Sequence, residues 1–439
     1  MITIEDVLAR ATDTKMLRIG DGIINQAADI FKEVFPGKRP IVIADTITWE
    51  IAGKSVQKSF DDAGINSDTP HIFTDPALHA EWKFIEELDN ILSNTDAIGV
   101  AVGSGTINDL TKLSSFHCGK RYMTVATAAS MDGYTAYGAS ITRDGAKQTF
   151  NCPAPLALLA DIDIIAAAPT EMTASGYADL FAKVPAGADW IISDALGIEP
   201  IEDFSFNVVQ NGLKLALSDP EGVRAGKKDC IKRLIEGLVL SGFAMQTHKS
   251  SRPASGADHQ FSHLWNMENH VMDNGHAPSH GFQVSIGMLM STALYQQLLN
   301  EDIAELDVEK CVSCWPTLDE AQKEAREMFA GTDFPTIGET EITAKYIDRD
   351  ALRVQLNFLK ENWDEIKNRL VTQMIPYNEA KARLAAVGAP VEPEQICISR
   401  ERLRDSFIRA QHIRRRFTIL DIAVRTCLLD KWLDNIFRF

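Results

Sequence analysis

This 439-residue sequence has no long apolar run. No stretch approaches the roughly 18 apolar residues that a membrane-spanning helix needs, so no membrane span is expected. The start, MITIEDVLARATD, carries charges where a secretory leader would have its apolar stretch, so no leader is expected either. A surplus of positive charge is also missing: the net charge is −17. Such a chain repels nucleic acid and anionic membrane surfaces over long range. Its two short basic clusters, Arg400–Arg404 (RERLR) and Arg414–Arg416 (RRR), are expected to form solvated helix faces or ion pairs, the second within a helical stretch, and no nucleic-acid partner follows. Cysteine is sparse and odd in number, with seven in all. Cys311 and Cys314 form the single CxxC, without the second pair or the histidines that a zinc site of that type requires. Free thiols and a cytoplasmic location are therefore expected. Internal repeats and low-complexity tracts are absent.

What is present is an ordinary globular mixture, with 45% hydrophobic and 24% charged residues. The length suits two domains. In the first part, short apolar runs alternate with helical patterns. Pro40–Asp45, His71–Thr74, Ala97–Val102 and Tyr122–Ala126 read as strands, with helices over about 49–60, 80–92 and 106–116 between them. Alternation of this kind implies a parallel sheet flanked by helices. The segment 135–163 is less regular, holds Gly138, Gly145, Pro153 and Pro155, and fits a β-hairpin or a wandering connection. From Pro169 onward helical periodicity dominates. The expected architecture is an α/β dinucleotide-binding domain over 1–168, followed by an all-α domain over 169–439.

Two polar loops follow strands. Gly103-Ser104-Gly105-Thr106 opens a helix directly after the apolar run AIGVAV. Glycine lets backbone approach a diphosphate, and a helix N-terminus offers N–H groups to negative charge. The pattern lacks the third glycine of the dinucleotide fingerprint and the GK[ST] of a Walker loop. Taken alone it is equally a strand-to-helix turn. The second loop, Thr127 to Gly133, offers the hydroxyls of Thr127 and Ser130 and the carboxylate of Asp132 at the same sheet edge.

Histidine is scarce, with ten in the chain. Yet His259, His263, His270, His276 and His280 fall within one short segment. His259 and His263 are four apart and share a face if helical. Gln260 follows His259, so the metalloprotease pattern HExxH is excluded. Crowding of this kind favours a metal site. Among 61 acidic residues, spacing alone cannot choose a carboxylate ligand. Asp179 is the best local candidate because it lies in an apolar helical stretch, where a bare carboxylate is costly.

Five blocks taken together carry a resemblance: GSGTINDLTK (Gly103–Lys112), TAASMDGYTAYGAS (Thr127–Ser140), SGYADLFAK (Ser175–Lys183), SSRPASGADHQFSH (Ser250–His263) and SHGFQVSIG (Ser279–Gly287). Over residues 40–290 the chain resembles the sn-glycerol-1-phosphate dehydrogenases, especially the bacterial AraM-like branch. These sit within the superfamily of iron-containing alcohol dehydrogenases, glycerol dehydrogenases and dehydroquinate synthases. The resemblance implies a dehydroquinate synthase-like fold and NAD or NADP as cofactor. Asp45 would lie at the adenosine end, where a carboxylate near the ribose disfavours a 2′-phosphate and so favours NAD. Gly105, Thr106, Ile107, Asn108 and Asp109 would form the diphosphate loop. Thr127, Ala128, Ala129 and Ser130 would pack on the nicotinamide half. It further implies that Asp179, His259 and His280 hold one divalent metal ion (Zn²⁺, Ni²⁺ or Fe²⁺). Asp132 and His263 would contact substrate without ligating metal, and both are the expected catalytic residues. Ala136 departs from the serine expected at a further dinucleotide contact. The stretch 266–278 looks like an insertion, which makes His276 a rival of His280.

The function implied is reduction of dihydroxyacetone phosphate, a triose phosphate, to sn-glycerol 1-phosphate, by a homodimer. Arg252 and Lys183, close in sequence to the metal residues, are the candidates for the substrate phosphate. Two other functions compete with this one: a polyol dehydrogenase acting on unphosphorylated substrate, and a catalytically silent regulator that binds metal and nucleotide.

Overall fold

A computed structural model describes residues 3–143 and 146–438; Gly145 of the irregular segment lies outside them. The chain forms two compact units: Met1–Leu180 with Phe204–Ser251, and Phe181–Asp203 with Arg252–Phe439.

The first unit is built on a parallel sheet. Its strands are β1 (Met16–Gly20), β2 (Pro40–Asp45), β3 (His71–Phe73), β4 (Ile98–Gly103), β5 (Met123–Ala126) and, after a separate antiparallel hairpin of β6 (Ala139–Arg143) and β7 (Ala146–Phe150), β8 (Ala157–Asp161). The order across the sheet is β1-β8-β5-β4-β2-β3, with every neighbouring pair parallel. The central strands read as unbroken apolar runs because both sheet faces are covered. Alternate strand side chains enter different cores: Val42, Val100, Val102 and Val125 pack on one side, and Ile41, Ile43 and Ala101, with Leu88 and Leu113 of the flanking helices, on the other. After β2 the chain runs outward to β3, then returns to lay β4 on the opposite flank of β2. That reversal makes the carboxyl ends of β2 and β4 the switch point, where ligands bind in open α/β sheets.

The first unit takes in more of the chain than a break at 168–169 allows. The helix Lys228–His248 belongs to it, and the reason is a buried polar seam. The Gln246 side chain accepts from Asp13 N at 2.9 Å and donates to Thr135 O at 2.9 Å. Thr135 Oγ1 donates to Val239 O at 2.7 Å. These groups would be costly to bury unpaired, so helix and loop stay together.

The second unit is helical. Its central helices are Lys183–Ala195, Ala257–Met267, His280–Asn300, Arg400–Gln411 and Ile419–Arg425. No helix among the described residues is long and apolar enough to cross a membrane. Arg400, Arg402 and Arg404 form the expected ion pairs, with Glu392 and Glu394, Glu268, and Asp434. Arg414–Arg416 departs from expectation: it is not helical but part of the connection between the last two of these helices.

Candidate metal centre and nucleotide loop

The glycine-rich loop leaves β4 at the switch point. Gly103 ends the strand, Ser104 is the N-cap, and the helix Gly105–His117 follows. A Cβ on Gly103 would sit 2.6 Å from Ile107 Cβ, so only glycine lets the helix turn back this tightly. The Ser104 side chain makes no capping hydrogen bond. The first-turn N–H groups are thus not taken up by the cap, the arrangement a diphosphate exploits. At the end of β2, Asp45 Oδ1 accepts from Ile47 N and Thr48 N, both at 2.8 Å, capping the next short helix. Asp45 thus ends β2 with one carboxylate oxygen used locally.

Asn108 and Asp109 tie the first loop's helix to neighbouring segments. Asn108 is fully buried and accepts from the Tyr122 hydroxyl at 3.0 Å. Asp109 Oδ2 accepts from Ser140 N at 3.0 Å. Lys112, given no role by the sequence reading, is the main fastener: its buried ammonium donates to Gly133 O, Ala136 O and Gly138 O at 2.9, 3.1 and 3.0 Å. Three convergent carbonyls on one ammonium fix the path of the second loop. An uncompensated lysine at that depth would be costly, and its place in the motif was the available signal. Thr127 N donates to Gly103 O at 3.2 Å, tying Thr127 to the first loop. The backbone at Ala129 and Ser130 is met by the helix Thr170–Phe181 at Gly176, where a Cβ would lie 1.9 Å from Ala129 O. That contact brings Asp179, one turn further on, to Asp132: Asp132 N donates to Asp179 Oδ2 at 3.1 Å. Ser241 Oγ donates to Asp132 Oδ2 at 2.8 Å.

The histidines lie on two helices held unusually close. A Cβ on Gly287, in the helix His280–Asn300, would stand 2.2 Å from Asp258 O of the helix Ala257–Met267. Close approach brings the His259 and His280 rings to 5.2 Å between centroids, with His263 6.3 Å from His259. His259 Nδ1 is bound by the buried carboxylate of Asp258. A second partner of this kind fixes the tautomer and leaves Nε2 for a metal. Ser262 Oγ stands 3.4 Å from His280 Nδ1. Asp189 anchors the start of the His259 helix. Its Oδ2 accepts from Ala257 N at 2.7 Å, and its Oδ1 accepts from the Tyr295 hydroxyl and from Ile419 N, each at 2.7 Å. Burial pushes the Asp189 carboxyl up to about 7, against those hydrogen bonds. The cue that singled out Asp179, an acid in an apolar helix, applies equally to Asp189 and was missed there.

Among the described residues, one group of three or more histidine, cysteine, aspartate and glutamate side chains could hold a metal ion. It consists of Asp179, His259 and His280, with one ligand atom from each lying within 4.8 Å of the others. Asp179 and His259 are buried and His280 is half-buried. A buried carboxylate beside two imidazoles is a donor set that fits Zn²⁺, Fe²⁺ or Ni²⁺. His276 is outside this group: it is exposed in a turn, where its N donates to Asn274 Oδ1 at 3.0 Å. His270 is structural, with Nε2 2.7 Å from Ile396 O and Nδ1 2.8 Å from Arg402.

Both candidates for the substrate phosphate lie in the second unit. Arg252 is fully buried. It donates to Asp189 O at 2.9 Å and Phe417 O at 3.2 Å, and pairs with Glu199 at 3.1 Å. Partners of this kind suit an internal brace. Lys183 is also fully buried, as the first residue of its helix.

Similarity to known proteins agrees with this geometry. The profile of the iron-containing alcohol dehydrogenases matches residues 18–169. A glycerol-1-phosphate dehydrogenase [NAD(P)+] of Halalkalibacterium halodurans is 34% identical over 58% of this chain, which spans 64% of that relative. One of the same description from Bacillus licheniformis is 30% identical over 71% of this chain and 78% of its own length. A probable glycerol dehydrogenase of Sinorhizobium meliloti shares the fold, with a TM-score of 0.60 at 16% identity over 96% of this chain and 98% of its own. With the parallel sheet, the helical second unit and these relatives in place, the chain belongs to the glycerol-1-phosphate dehydrogenase family, within the iron-containing alcohol dehydrogenases.

Proposed function

We propose that this protein is an NAD(P)-dependent, divalent-metal-dependent sn-glycerol-1-phosphate dehydrogenase that reduces dihydroxyacetone phosphate to sn-glycerol 1-phosphate. The observation that carries the proposal is the convergence of Asp179, His259 and His280, with Asp258 orienting His259. The loops ending β2 and β4 support a dinucleotide at the switch point, and the family supports the phosphorylated substrate.

When bound, the nicotinamide supplies the hydride for the ketone carbon, and the metal ion polarises the ketone oxygen and stabilises the developing alkoxide. Asp179, His259 and His280 would hold the ion through one carboxylate oxygen and two imidazole nitrogens. Three protein ligands leave coordination open for substrate, as catalytic sites require. Asp258 keeps His259 in the tautomer that presents Nε2. Asp132, tied to Asp179 through its backbone and to Ser241 through its carboxylate, would bind a substrate hydroxyl. His263, one turn beyond His259, supplies the proton that the alkoxide needs to become the alcohol, so the ketone gains one hydride and one proton overall. Ser104 to Asp109 would cradle the diphosphate, and Thr127 to Ser130 would line the nicotinamide half. A cytoplasmic homodimer accords with the family and the cysteine usage; sedimentation of the purified protein tests the dimer.

The test is NADH and NADPH oxidation after chelation and reloading with Zn²⁺, Ni²⁺ or Fe²⁺. The expected result is metal-dependent turnover of dihydroxyacetone phosphate well above that of dihydroxyacetone. Equal turnover of both ketones would assign a polyol dehydrogenase, and no turnover of either with metal and nucleotide bound would assign a regulator.

A further inference from the structure

Within the first unit the main chain around Asp132 is fixed from several directions. Asp132 N donates to Asp179 Oδ2 at 3.1 Å, and the Lys112 ammonium donates to Gly133 O at 2.9 Å. Thr135 is fastened twice to the helix Lys228–His248, through its Oγ1 on Val239 O and its carbonyl on Gln246. Gly242 of that helix lies against the same loop. A Cβ there would stand 2.2 Å from Thr135 Oγ1 and 2.7 Å from Asp132 O, so helix and loop meet with no side chain between them. These contacts set the backbone and leave the Asp132 side chain to be set separately. An aspartate has three χ1 wells and a broad χ2, and each combination aims the carboxylate differently.

Ser241, next to Gly242 and fully buried, supplies what the backbone contacts do not. A serine inside a helix can bond back to the carbonyl four residues earlier. Ser241 Oγ instead donates to Asp132 Oδ2 at 2.8 Å. A buried hydroxyl is costly without a partner, so this bond holds from both ends: the hydroxyl needs the carboxylate, and the carboxylate is turned by the hydroxyl. Among the described residues Asp132 is outside the group formed by Asp179, His259 and His280. Its carboxylate is therefore directed by protein donors rather than by membership of the ligand set.

We infer that Ser241 is a positioning residue for the reduction: its hydroxyl holds the Asp132 carboxylate in the direction from which it accepts a hydroxyl of the ketose substrate. This rests on the reading of Asp132 as a substrate contact in a ketose-reducing enzyme. Ser241 itself touches neither substrate nor ion, and its effect passes through Asp132. In sequence the two are 109 residues apart, and a lone serine in an apolar helix carries no local sign of such a role.

The test is a double-mutant cycle on the metal-loaded full chain: Ser241→Ala, Asp132→Ala and the two combined, each checked for fold by circular dichroism and for metal content. Two readouts are taken. One is kcat/KM for dihydroxyacetone phosphate at saturating NADH. The other is affinity for sn-glycerol 1-phosphate with NADH bound, by titration calorimetry. Ser241→Ala is expected to lose about 10-fold in both, through KM more than kcat, and Asp132→Ala about 100-fold, the span of hydrogen bonds to a charged group. The combined variant is expected to match Asp132→Ala within about twofold, because losing the serine costs nothing once the carboxylate it aims is gone. A merely structural serine adds its own loss to that of Asp132→Ala, and this additive result overturns the inference. So does a Ser241→Ala variant with unaltered KM and affinity. Should Ser241→Ala fail to fold, Ser241→Cys, which keeps a side chain there but donates weakly, takes its place in the cycle under the same criteria. If the unaltered chain reduces dihydroxyacetone as well as its phosphate, the phosphorylated-substrate reading fails by itself, and the cycle run with dihydroxyacetone decides for Ser241. A chain that neither reduces a ketone nor binds sn-glycerol 1-phosphate overturns both.

Discussion

The nucleotide loops and the histidine cluster are held in place by opposite means. At the ends of β4 and β5 the backbone does the work: small residues permit close contact, and Lys112 gathers three loop carbonyls. Around His259 and His280 side chains do it, with Asp258 on one imidazole, Ser262 beside the other and Asp189 under the helix start. A region that binds through backbone amides needs its main chain in the right place. A region that binds through imidazole nitrogens needs its rings turned correctly. The first should therefore be sensitive to added volume and the second to changed charge or hydrogen bonding.

The sharpest test of the second half of this comparison is His259→Ala. We expect metal-dependent turnover to fall by about 10³-fold or more, from loss of a ligand to the charge-stabilising ion, while circular dichroism stays unchanged. A metal content equal to that of the unaltered chain would break the assignment. For the backbone side, Gly176→Ala places a methyl on Ala129 O. The expected cost is about 1–3 kcal/mol, the usual range for overpacking, read from denaturant unfolding, with reduced nucleotide affinity. A neutral outcome would mean that the loop yields easily.

Asp258→Asn keeps shape and removes charge. Loss of this partner should weaken metal affinity about 10- to 100-fold, measured by competition with a chelating dye, with little change in stability. The last test concerns Asp189 and is read through pH. Its carboxyl titrates near 7 in the folded protein, above the ordinary carboxylate range, so the folded state holds its proton more tightly than the unfolded state. Stability from this group is present at low pH and is lost as pH rises from about 4 to about 7. Asp189→Asn should remove that decline, followed by thermal unfolding at pH 5 and pH 7.5; a Tm that falls as much between the two in the variant as in the unaltered chain would break the assignment.

The sheet was legible where burial on both faces produced uninterrupted apolar runs, as in Ile41–Ala44 and Ala97–Val102. β1 was not, because Met16–Gly20 is short and carries Arg18. The unit boundary was missed for a different reason: periodicity shows that 228–248 is a helix, but Gln246, which attaches it to the first unit, resembles any surface glutamine. The histidine cluster was visible from crowding alone. Choosing His280 over His276 and adding Asp179 needed the family blocks, since ligand spacing across two helices has no local signature. Arg414 and Arg416 were misread because a run of three arginines flanked by apolar residues has the composition of a helix face. Just beyond them Ile419 N meets Asp189, more than two hundred residues earlier.

That distance has a further consequence for how the chain acquires its site. Asp189 meets Ala257, Tyr295 and Ile419 across separations of 68, 106 and 230 residues. Contacts so remote in sequence form slowly, because the intervening chain must close its loops first. During synthesis the histidine helix emerges long before Ile419 does, so the Asp189 network beneath it is completed only after Ile419 has emerged. Under the proposed metal-dependent reading, the ion would be captured only after these long-range closures have aligned the histidine helix.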